Sequence, residues 1–280
     1  MLKTRILTAA ILVPAVLAAL FLLPPRAWGV AALVVMAIGA CEWGRLVAPG
    51  TRWAAAVGGV LLVGLFLLYA PAAGFDRGWP GATLAWVCGI AGAFWLLVAP
   101  AWVIARWPTR GRPGMIALGI VVLVAAWMAV VELQARSPWL VLAAMAIVWI
   151  ADTAAYFSGR AFGTRKLAPL VSPGKTWEGV YGAWVAVALY AFVLSFFARD
   201  AGFAAPVTPL AIGAWIVLAL VLASVSVVGD LFESWLKRDA QVKDSGTLLP
   251  GHGGILDRID ALLAAMPLAA LAAHTFLARP

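Results

Sequence analysis

The sequence predicts an all-α, polytopic integral membrane protein with about nine transmembrane helices. Three observations carry that prediction. First, 65% of the 280 residues are hydrophobic, only 11% are charged, and the mean hydropathy is +1.01. A soluble domain is about 45–50% apolar and about 25% charged, so a soluble fold of this size has too few charges to cover its surface. Second, apolar runs recur at spanning length. A helix needs about 20 apolar residues to cross the hydrocarbon, and such runs occupy 6–23, 28–47, 53–73, 82–105, 114–134, 139–157, 178–198, 208–229 and 259–277. Third, laying out those nine spans segregates the basic residues. Fifteen fall on the side of the N-terminus, and five (Arg26, Arg77, Arg136, Arg199 and Arg279) fall on the other. Cytoplasmic loops carry the Lys/Arg excess. The N-terminus and two long polar loops, 158–177 and 230–258, are therefore expected to face the cytoplasm.

The first run follows Lys3 and Arg5, as a secretory signal would, but Pro24-Pro25-Arg26 makes a poor cleavage site. It reads as the first span. Residues 1–135 have short loops and few acids, and read as an N-terminal transmembrane scaffold. Residues 136–280 hold nine of the twelve acidic residues and read as a C-terminal transmembrane catalytic core. Cys41 and Cys88 sit in apolar runs without metal-type spacing, so they read as small hydrophobes. The net charge of +8 lies in loops between apolar runs. Topology and phosphate ligands explain it better than nucleic acid does.

The most informative stretch is Gly229 to Asp260. If the eighth helix continues past its apolar run, Asp230, Glu233, Ser234, Lys237 and Arg238 line one face. Such a stripe is either a snorkelling helix end with internal salt bridges or part of a site. Pro250 to Gly254 cannot be regular helix, and its glycines would let backbone amides approach a ligand. Asp257 and Asp260 then share a face at the start of the last helix, near the anion-favouring end of its dipole. Mg²⁺ is usually held by one or two carboxylates plus substrate phosphates. Asp230, Asp257 and Asp260 supply such carboxylates, while Lys237, Arg238, Lys243 and Arg258 match a polyphosphate and its leaving group. His252 reads equally as a phosphate donor, a proton carrier or a structural residue.

A second polar block covers 152–179. Asp152 ends an apolar span and is a site candidate for that reason. Ser172, Lys175 and Thr176 lie in a Ser-Pro-Gly-Lys-Thr cluster without Walker A spacing, which is either an ordinary basic loop or the second wall of the same site.

These residues resemble the signature of the phosphatidate cytidylyltransferases, also called CDP-diacylglycerol synthases. The matching elements are Gly229-Asp230-Leu231 with Glu233-Ser234, then Lys237-Arg238, Lys243-Asp244, Pro250-Gly251-His252-Gly253-Gly254, and Asp257-Arg258 with Asp260. The block Val171 to Gly179 matches as well. The resemblance is strong over about 140–280, while the first half resembles the family mainly by being hydrophobic. It implies transfer of CMP from CTP to phosphatidic acid, giving CDP-diacylglycerol and pyrophosphate. It implies Mg²⁺ on Asp230, Asp257 and Asp260, with a second cation such as K⁺ sharing the site, and a homodimer. It adds Asp244, Ser234, Gly253 and Gly254 to the substrate-contacting residues. In a bacterium, the resemblance implies the inner membrane. Another CTP-using lipid enzyme, such as a lipid kinase, is the nearest alternative. A transporter is the alternative from another class, but it predicts repeat symmetry, and the sequence shows no repeat.

Overall fold

The computed structural model describes residues 2–48, 50–70, 75, 79–112, 114–197 and 208–276, the side chains of 2–7 and 9 excepted. The expected span ends at 71–73, 198 and 277, and Arg77, Arg199 and Arg279, lie outside the described residues. Among the described residues there are nine long helices: α1 Leu2–Leu22, α2 Pro25–Val47, α3 Trp53–Tyr69, α4 Gly81–Ala105, α5 Met115–Arg136, α6 Pro138–Phe162, α7 Trp177–Phe197, α8 Pro209–Asp239 and α9 Leu256–Phe276. Eight of these are long and apolar enough to cross a membrane, α3 counted with the short 3-10 turn before it, and α1 adds the apolar stretch Ala10–Leu22. The all-α membrane architecture read from the sequence therefore holds.

Within the polar segment 158–177, α6 runs on to Phe162 and a small β-hairpin follows. Strand β1 (Lys166–Ala168) pairs antiparallel with β2 (Ser172–Thr176), with Lys166 opposite Thr176 and Ala168 opposite Ser172. The segment 230–258 is likewise shorter as a loop than the hydropathy suggested, because α8 continues to Asp239 and α9 begins at Leu256. Helix α8 stops where Gln241 turns left-handed (φ 59°) and the Val242 amide donates back to the Lys237 carbonyl at 2.9 Å. Polar residues extend this helix beyond the apolar run because its last turns pack on protein rather than lipid.

Two packing features place the site. Gly229 of α8 lies against α9 so closely that a Cβ there would come within 2.6 Å of the Asp260 carbonyl. Small residues permit this approach between membrane helices, and it sets Asp230 beside Asp260. Behind the polar face of α8, Phe232 is fully buried. Its ring meets Phe94 at 5.4 Å, Trp95 at 5.6 Å, and Trp43 and Trp102 at 6.1 Å. A π-helical turn at Phe94–Val98 of α4 lets the sequence neighbours Phe94 and Trp95 both face that ring. The end of α8 is tied down by Asp239, whose carboxylate accepts from the Thr109 amide at 2.6 Å, its hydroxyl at 2.7 Å, and the Arg110 amide at 2.7 Å. One continuous core joins α2, α4 and α5 to α6, α8 and α9.

Candidate active site

The site forms where the polar end of α8, the first turn of α9, the β2 strand and the loop 240–255 meet at one end of the bundle. Along α8 the predicted stripe is a physical one. The Ser234 hydroxyl donates to Asp230 Oδ1 at 3.3 Å, and Lys237 is paired with Glu233 one turn before it. Lys237 Nζ also reaches across to Asp257 Oδ1 at 2.6 Å, linking α8 to α9. Arg238 is exposed and donates through Nε to the Val171 carbonyl at 3.3 Å.

The two polar blocks that the sequence placed on one side do meet. Lys175 of β2 pairs with Asp230 at 2.6 Å. Asp152 of α6 lies within electrostatic reach of Asp230, Lys175 and Arg258. Asp260 is within the same reach of Asp230, Lys175 and Lys237. Ser172 is partly buried at the start of β2. Thr176 is buried where α6 and α7 meet, and its hydroxyl accepts the Gly179 amide at 3.2 Å. It serves that junction.

Asp257 is the hub of the loop. Its Oδ2 accepts from the Gly254 amide at 2.8 Å, the Ser245 amide at 2.9 Å and the Ser245 hydroxyl at 3.0 Å. The glycines owe their place to this carboxylate and to another. Gly253 has φ 80°, and a Cβ there would lie 2.5 Å from Asp257 Oδ2. A Cβ at Gly254 would lie 2.3 Å from Glu42 Oε2. Glycine is required at both positions because protein carboxylates occupy the space that a Cβ would fill. Gly253→Ala is accordingly expected to lower kcat/KM about tenfold, measured as product formation by folded protein; an unchanged rate would show that the turn tolerates the displacement.

Beside the loop opens a cavity of about 540 Å³, lined in part by Lys243, Asp244, Thr247, His252, Gly253 and Arg258. This is within the size range of small-ligand pockets, about 300–1,000 Å³. Lys243, Asp244 and Arg258 are exposed at it, and the Nδ1 of His252 has no hydrogen-bond partner. A second cavity of about 360 Å³ is apolar and is lined by the starts of α6 and α8, the ends of α7 and α9, and Leu133 of α5. It contains none of the predicted site residues.

Five carboxylates (Asp152, Asp230, Glu233, Asp257 and Asp260) thus gather around three cations (Lys175, Lys237 and Arg258). This surplus of negative charge suits a divalent cation. Among the described residues no three His, Cys, Asp or Glu side chains converge to form a closed metal site. The donor set therefore fits a cation whose shell is completed by phosphate oxygens, as is usual for Mg²⁺. Asp260 is the best placed, since among the described residues only its Oδ1 is engaged, by the Ala261 amide at 2.8 Å; both oxygens of Asp257 are taken, and those of Asp230 meet Ser234 and Lys175.

Sequence reasoning missed Glu42. This residue of α2 is 4% exposed, and its carboxylate accepts from the Ser245 hydroxyl at 2.8 Å and the amides of Ile255 at 3.0 Å and Leu256 at 2.8 Å. The signal was a lone carboxylate inside an apolar span.

Comparison with known proteins bears on this arrangement. Residues 3–276 match the model of a cytidylyltransferase family. The phosphatidate cytidylyltransferases of Pseudomonas aeruginosa and Haemophilus influenzae are each 38% identical over 95% of this chain, and over 95% and 96% of their own lengths. That of Brucella suis is 53% identical over a shorter stretch, 44% of this chain and 42% of its own.

Proposed function

Because this chain belongs to the cytidylyltransferase family, and so to the nucleotidyltransferases, we propose that it joins CTP and phosphatidic acid into CDP-diacylglycerol and pyrophosphate. The observation that carries this reading is the pairing of Lys175 with Asp230, which joins the β-hairpin to α8 and so the two polar blocks at one end of a membrane bundle. A lipid headgroup and a water-soluble nucleotide can meet there.

In this reading the polar cavity beside Lys243, His252 and Arg258 receives the triphosphate. The lipid phosphate arrives between the helices, toward Lys175 and Arg238. One of its anionic oxygens bonds to the α-phosphorus of CTP, and the bond from that phosphorus to the bridging oxygen breaks. Pyrophosphate leaves with the electron pair. The attacking oxygen is already anionic, so no general base is required. The chain's own work is in-line positioning and neutralisation of charge. Mg²⁺ held by Asp230 and Asp260 would supply Lewis-acid stabilisation of the phosphate oxygens. Asp230 would join that shell by releasing Lys175 from Oδ2, and Asp257 by releasing Lys237 from Oδ1. The site faces the cytoplasm, in keeping with the basic loops, and the bacterial relatives favour the inner membrane. The family resemblance adds a homodimer surrounded by membrane lipid, a second cation such as K⁺, and no role for nucleic acid.

The test is product formation by purified protein in detergent, with phosphatidic acid and CTP labelled on its α-phosphate, in Mg²⁺ or EDTA. Label entering the lipid only with Mg²⁺, with pyrophosphate released, is the expected result. Formation of CDP without lipid label would instead indicate a lipid kinase. Asp260→Asn is expected to raise the Mg²⁺ concentration for half-maximal rate by about 10- to 100-fold. An unaltered Mg²⁺ dependence would remove Asp260 from the metal site.

A further inference from the structure

We propose that Glu42 is a positioning residue of the reaction: it clasps both ends of the loop that walls the polar cavity, and thereby sets affinity for the nucleotide. The proposal rests on the assignment of that cavity to CTP.

The argument begins with who touches Glu42. Its donors are Ser245 at the start of the loop and Ile255 and Leu256 at its end. Every cavity-lining residue from Gly246 to Gly253 lies between those anchor points. One carboxylate therefore closes the loop on itself, and the lining follows from that closure. Without it, the two ends are joined among the described residues through Asp257, which accepts from Ser245 and Gly254.

The second point is cost. A carboxylate at 4% exposure inside an apolar span is expensive unless its lone pairs are filled. Among the described residues Glu42 meets no cation; three uncharged donors fill its lone pairs. Simple helix packing would be served better by an apolar residue of similar volume. The backbone is shaped to this side chain, since a Cβ at Gly246 would lie 2.5 Å from Glu42 Oε1 and one at Gly254 would lie 2.3 Å from Oε2.

The third point is connection to the chemistry. The Ser245 hydroxyl lies 2.8 Å from Glu42 Oε2 and 3.0 Å from Asp257 Oδ2. It has one proton, which the two carboxylates share. Asp257 in turn holds Lys237. A helix of the first half is thereby joined, through one hydroxyl, to the polar centre of the second.

Glu42→Gln keeps the volume and one acceptor oxygen but turns an amide group toward loop donors. Two measurements on the full-length protein test the clasp. Hydrogen exchange of the 244–256 amides reads the closure directly, without reference to any substrate. Steady-state kinetics read KM for CTP and for phosphatidic acid separately. The expected result is faster exchange at Ile255 and Leu256, with KM for CTP raised about 10- to 100-fold and KM for phosphatidic acid unchanged. Ser245→Ala, which removes the hydroxyl between Glu42 and Asp257 but no charge and neither amide donor of Glu42, should shift both readouts in the same direction by less, and it decides the matter should Glu42→Gln fail to fold. Unchanged exchange in the variants overturns the clasp. Faster exchange with the change falling on the lipid KM, or on kcat alone, overturns the link to nucleotide affinity and with it the assignment of the cavity.

Discussion

Asp257→Asn is expected to lower kcat/KM for cytidylyl transfer about 100-fold or more, with the protein still folded and inserted. The reason lies in donor and acceptor counting. Asp257 accepts from the Lys237 ammonium on one oxygen and from two amides and a hydroxyl on the other. An asparagine has one oxygen and one NH₂. If the oxygen faces the loop, the NH₂ points at the ammonium. If the oxygen faces Lys237, the NH₂ points at two backbone N–H groups. Either the cation or the loop loses its place, and reacting groups displaced by about 1 Å cost about 100-fold. Label transfer into lipid measures the rate, and a monodisperse elution profile with an unchanged melting temperature shows that the fold survived. Near wild-type turnover would remove Asp257 from the machinery.

Lys237→Met should destabilise the protein as well as silence it. The lysine side chain is 14% exposed, and its two partners, Glu233 and Asp257, are 3% and 4% exposed. Glu233 Oε1 has no hydrogen-bond partner, so the ammonium at Oε2 is that group's main compensation. Removing one member of a buried ionic group costs about 3–5 kcal/mol, because the charges left behind are uncompensated. Thermal unfolding in detergent reads this loss. Glu233→Gln added to Lys237→Met should recover part of the stability and none of the activity. A melting temperature equal to wild type in the single variant would mean that Glu233 is not held by this lysine.

The sequence disclosed local patterns and left distant pairings hidden. The stripe from Asp230 to Arg238 and the shared face of Asp257 and Asp260 were legible because helical spacing alone dictates them. The meeting of the two polar blocks followed from counting Lys and Arg on each side. The hairpin at 166–176 was not legible: two short strands containing Pro and Gly give no alternation to read. The continuation of α8 to Asp239 was posed as a condition only, since hydropathy falls at Asp230 while the helix goes on. Glu42 was invisible as a partner because its donors are remote in sequence and two of them are backbone amides, which leave no mark on residue identity. The glycines carried a second demand that the sequence did not show: a Cβ at Gly253 or Gly254 would meet the carboxylates of Asp257 and Glu42.

The distance along the chain between Glu42 and its donors has a consequence for biosynthesis. Those donors lie 203 to 214 residues downstream. At a synthesis rate of about 5–20 residues per second, the second helix waits about 10–40 s before they emerge. Throughout that interval the nascent chain carries an acidic group in an apolar segment with none of its final partners, and an insertion machinery must accommodate it. The loop can close only when the start of the last helix has left the ribosome. The contacts of Glu42 therefore form in a single late event, when the start of the last helix reaches back to a residue made near the beginning of the chain.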